Sequence, residues 1–70
     1  MTLKSNPYIS EKDIIIMQMV ADGFTALEIA DKTWLSERTV EGRVYRLKTR
    51  FKAKTLTHLA IILSRLNIIR

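Results

Sequence analysis

Between Glu37 and Lys54 seven side chains carry positive charge: Arg38, Arg43, Arg46, Lys48, Arg50, Lys52 and Lys54. Only Glu37 and Glu41 oppose them there. The whole chain of 70 residues has a net charge of +5, so the remainder sums to zero and all of the excess lies on this stretch. Guanidinium and ammonium groups gathered in this way have the chemistry of polyanion binding. A solvated helix face is the plain alternative for a basic run, but it gives no reason for the remainder to be neutral.

Other chemistry finds no support. No paired carboxylates, nucleophile motif or Gly-rich phosphate loop occurs, so neither catalysis nor a cofactor is expected. His58 is the only histidine and has no cluster of ligand-type residues around it, which suits a surface or interface position and not a metal ligand. The absence of cysteine excludes disulfides and thiolate metal sites. The longest apolar runs, Ile14 to Met17 and Leu59 to Leu63, are too short to span a bilayer. A cytoplasmic location fits these features. A chain this short buries only about 60% of the surface its unfolded form exposes, so helix packing or a partner must supply stability.

Elements able to position the basic stretch are helices. Ser10 is a candidate N-cap with Asp13 returning the hydrogen bond, and Ile9 can staple onto Ile14. This helix runs to about Asp22, and Gly23 supplies a left-handed end. Ile14, Met17, Val20 and Ala21 follow core spacing, while Ile15, Ile16 and Met19 widen the apolar arc toward burial all round. Thr25 and Glu28 form a second capping box, opening a short helix that ends near Lys32. After the connection Thr33-Trp34-Leu35, Ser36 caps a helix reaching about Phe51. Its apolar residues Val40, Val44, Leu47 and Phe51 make one stripe. Thr55 or Thr57 caps a last helix with a stripe of Leu56, Leu59, Ala60, Leu63 and Leu66. Asn67 can end it, leaving Ile68 and Ile69 as an apolar tail. The expectation is an all-α, four-helix domain over residues 9–70, preceded by a linker-like segment at residues 1–8.

Two short helices joined by about three residues, the second basic and amphipathic, form the helix-turn-helix pattern. The major groove, ~12 Å wide, admits one helix, which another must hold from behind by its apolar stripe. The residues in this order resemble the LuxR-type (GerE-like) domain of bacterial transcription factors, as in NarL/FixJ-type response regulators. The resemblance rests on Ile9-Ser10, Lys12-Asp13, Ala21 to Thr25, Glu28 to Ala30, Leu35-Ser36, Thr39-Val40, Val44, Leu47, Phe51 and Thr57.

The resemblance implies a sequence-specific regulator whose third helix enters the major groove of duplex DNA and whose fourth helix mediates dimerisation. Carried over by position, Glu41, Gly42 and Tyr45 face bases, Arg46 meets bases or the backbone beside them, and Arg38 joins them from its place at the helix start. Thr39, Arg43, Lys48 and Arg50 meet the backbone, and Thr25 and Ser36 offer helix-start N–H groups to phosphates. Trp34 reads as a packing or semi-exposed residue. Leu59, Ile62 and Leu66 are the candidate dimer seam. RNA polymerase and a receiver domain in a longer parent chain are further partners it implies. Several positions depart from the family's habit: Asp13 stands for glutamate, Arg43 for histidine, Glu41 for lysine, Leu27 for a polar residue and Lys52 for glycine. The rival readings are a region 4-like sigma domain and a helical protein-interaction module without DNA binding.

Overall fold

The computed structural model describes residues 9–70; the expected linker at residues 1–8 lies outside them. Four helices follow in order: α1 (Glu11–Ala21), α2 (Ala26–Thr33), α3 (Glu37–Arg50) and α4 (Leu56–Arg65). Among the described residues there is no strand, and no helix is long and apolar enough to cross a membrane.

Each helix starts on a hydroxyl that satisfies an otherwise unpaired first-turn donor. The Oγ of Ser10 accepts from the Asp13 N–H, Thr25 from Glu28, Ser36 from Thr39 and Thr55 from His58. At α4 the sequence left Thr55 and Thr57 open, and Thr55 is the cap. His58 adds to it, because its Nδ1 accepts from the Lys54 N–H at 3.0 Å. The expected return bond from Asp13 is not made. Its carboxylate turns instead to Arg43, 30 residues along the chain.

The helix ends share one device as well. A residue in the left-handed region stops each helix, and the next N–H reaches back to a carbonyl five positions earlier. Gly23 (φ 98°), Trp34 (φ 61°), Lys52 (φ 57°) and Asn67 (φ 59°) are those residues. The closing bonds run from Phe24 to Met19, Leu35 to Ala30, Ala53 to Lys48 and Ile68 to Leu63. Only α1 has a glycine there. Trp34 therefore ends α2, one residue later than expected, and the turn is Trp34-Leu35-Ser36.

Two apolar clusters hold the helices together. The first joins Ile14 and Met17 of α1 to Leu47, Leu59 and Leu63, with Ile9 and Ile69 from either side of the helices. The second joins Ile16 to Ile29, Ala30 and Val40. α1 and α3 contribute to both, and Val20 and Val44 pack against both. This explains the broad apolar arc of α1. Its burial is two-sided and not all-round: Ile15 is exposed, and so is Ala21, which core spacing had placed inside. The apolar tail folds back along α1. There the Gln18 side chain donates to the Arg70 carbonyl and accepts from its N–H at 2.8 Å, while Ile69 enters the core.

Candidate nucleic-acid interface

α3 is held from behind. Val40 and Leu47 are buried, and Val44 and Phe51 pack half-buried beside them. α2 lies across it and shares the second cluster through Ile29 and Ala30. The opposite face of α3 is open. Arg38, Gly42, Tyr45 and Thr49 recur at four, three and four positions, so they stand in one row on that face. All are exposed, Tyr45 at 68%. Arg46 and Arg50 flank the row, and Tyr45, Arg46, Thr49 and Arg50 line a shallow depression on it. Four of the five residues expected to face bases are thus gathered there: Arg38, Gly42, Tyr45 and Arg46. Thr49, which the spacing also turns away from the apolar stripe but which carried no expected DNA contact, completes the row. Its hydroxyl donates to the Tyr45 carbonyl at 3.2 Å and so lies against the helix.

Glu41 lies on the flank of this face. With Lys48, half-buried, it lines the groove between α3 and the α1–α2 corner, where Phe24 also sits. Among the described residues Glu41 makes no ion pair. Gly42 serves no need of the fold. A Cβ built on it meets nothing within 4 Å, and its φ is not left-handed.

Arg43 departs from its expected role on the phosphate backbone. Its Nη1 is 3.0 Å from the Asp13 carboxylate, both side chains are mostly buried, and its buried Nε has no partner. The charge is turned inward, onto α1. The two departures from family habit fit one another here, since the shorter Asp13 is matched by the longer reach of Arg43. Sequence contains the signal only as this pair of oddities, 30 positions apart.

The helix starts also differ from expectation. The Thr25 N–H already donates to Glu28 Oε1 at 2.8 Å, so it is not open to a phosphate; the next donors are those of Ala26 and Leu27. That bond, then the one through the Thr25 side chain, with Lys32 assisting, keeps the Glu28 carboxyl below its ordinary value of 4.5. Ser36 and Thr39 tie their hydroxyls together at 2.8 Å, which fixes both at the start of α3.

On α4, Leu59 is fully buried against α1 and α3, so it has no surface for a partner. The exposed apolar residues of this helix and its end are Leu66 at 53%, Ile61 at 44% and, near the start, Leu56. Ile62 is half-buried.

A family model described as bacterial regulatory proteins, luxR family, matches residues 7–63. No curated protein matches the chain. The matched span takes in α1, the capped pair α2–α3 and α4 as far as its buried Leu63, so it covers the basic helix and all of its core partners except Ile68 and Ile69 of the tail. The chain belongs to the luxR family of bacterial regulatory proteins, whose domains are DNA-binding regulators.

Proposed function

We propose that this domain is a sequence-specific regulator of transcription that reads duplex DNA through the open face of α3. The supporting observation is the row Arg38, Gly42, Tyr45 and Thr49, exposed on a basic helix whose back is buried. Arg46, Lys48 and Arg50, with Lys52 and Lys54 beyond the helix, supply attraction to phosphates. Arg38 and Tyr45 bring donors to base edges, and the Glu41 carboxylate accepts from a cytosine amino group. Gly42 leaves room for the backbone of α3 to approach them. Ser36 and Thr39, at the helix start, are backbone contacts in this reading.

Binding is as a symmetric pair on a two-fold site, with the recognition helices ~34 Å apart. Ile61, Ile62 and Leu66 form the seam, and Leu59 supports it from inside. In the cytoplasm the partners are duplex DNA, a second copy and RNA polymerase, with a receiver domain as the source of the signal.

Selection of bound sequences from a random duplex pool tests the reading. A two-fold consensus supports it; an unenriched pool overturns it. Affinity for the selected duplex should fall steeply with salt, by about 10³–10⁵ between 50 and 200 mM for about six to ten phosphate contacts. Arg46→Ala should weaken binding to every sequence, whereas Tyr45→Ala or Glu41→Ala should change the preferred bases. Sedimentation showing one copy both free and on the selected site would exclude the paired form.

A further inference from the structure

Leu27 and Asp31, four positions apart, share one face of α2, and Trp34, in the left-handed position that ends the helix, lines the same groove. Leu27 is 64% exposed and Trp34 is 95% exposed. With Ala30 and Leu35 they line an open groove whose other lining residues are Glu28, Asp31 and Glu37.

Two separate costs meet at Trp34. A bulky residue in the left-handed region is strained where a glycine would not be. The largest apolar side chain of the domain also stands in water. Neither the core nor the row on α3 uses it, and of the residues lining the groove only Glu37 comes from α3.

Charge indicates what would cover this groove. It holds three of the seven carboxylates in a chain of net charge +5, and no lysine or arginine lines it. Lys32, the only basic residue of α2, is drawn aside: its Nζ lies 5.4 Å from the centre of the Phe24 ring. Phosphate is repelled from such a place, and a cation beside an apolar anchor is favoured. An indole face adds attraction for a guanidinium or ammonium.

We propose that the Leu27–Trp34 face of α2 is a docking surface for a basic amphipathic helix of another protein, seating its apolar side chains on Leu27, Trp34 and Leu35 and its lysines or arginines against Glu28, Asp31 and Glu37. Most of this surface lies on α2 and the turn, and it adjoins the proposed DNA-reading face only at Glu37, between Ser36 and Arg38.

Trp34 is the only tryptophan, so its emission reports directly on the groove. The probes are two designed helical peptides free of aromatic residues, one of leucine and lysine, the other of leucine and glutamate, together with a random duplex. The lysine peptide should give a saturable blue shift despite the overall positive charge of the domain. The variant with Glu28→Gln, Asp31→Gln and Glu37→Gln keeps the capping partner of Thr25, and should bind that peptide about tenfold more weakly or worse. The glutamate peptide, drawn to α3, should leave the emission unchanged. Trp34→Gly should keep the helical circular dichroism and the duplex affinity while losing the labelled lysine peptide in anisotropy. The proposal is overturned if the lysine peptide causes no shift, or if the triple variant binds it equally. It is also overturned if the duplex quenches Trp34 and Trp34→Gly loses DNA affinity, since the indole would then belong to the DNA interface.

Discussion

The four arginines of α3 divide into three that face outward and one that faces in. Arg43 was legible as part of the basic run, but its direction was not, because the charge count treats every cation on a stretch alike. Its partner is on another helix, and only the packing of α1 on α3 brings the two together. The pair is mostly but not wholly shielded from solvent, so its contribution lies between that of exposed pairs and that of buried ones, at about 1–2 kcal/mol. A double-mutant cycle of Asp13→Ala and Arg43→Ala in urea should show that coupling. Arg43→Ala should lower stability without changing the salt slope of DNA binding, whereas Arg46→Ala should reduce that slope by about one. Gly42 gives the opposite sign. With open space around it, Gly42→Ala should raise stability by about 1 kcal/mol, the helix-propensity difference. On the proposed function the same change should weaken DNA binding. A more stable variant with undiminished affinity would remove Gly42 from the interface.

At the scale of the helices, starts were easier to read than ends. A hydroxyl followed by an acidic residue in the first turn is a local signal, and Ser10, Thr25 and Ser36 carry it. The ends are held by backbone conformation, and a left-handed tryptophan or lysine has no compositional mark. Lys52→Gly should therefore stabilise the domain by up to about 1 kcal/mol in thermal unfolding, since glycine takes φ 57° without strain. The box at α2 gives a pH dependence. Glu28 is held in its ionised form by Thr25, so its stabilising effect is present above the ordinary value of 4.5. It is lost as pH falls through the lowered folded value. Protection of the Thr25 amide, taken against its intrinsic exchange rate at each pH, should fall over that same acid range, and Glu28→Gln should flatten the response.

For the whole molecule, the neutral remainder and the basic stretch already separated a scaffold from a working surface. Composition could not show that the scaffold has two cores. The apolar excess on α1 looked like full burial because a helix with two buried sides and a helix buried all round have nearly the same sequence. Ile16 and Met17, adjacent in sequence, end in different clusters. Neither cluster can open while α1 stays packed in the other, and α3 is bound to both in the same way. Local opening of the kind seen in frayed termini is therefore closed to the middle of α1. Its amides, from Ile16 to Val20, should exchange with solvent deuterium only through global unfolding, with one shared free energy, while those of the first turn of α4 exchange sooner. α1, which adds no residue to the exposed row on α3, thus sets how long that row stays in place.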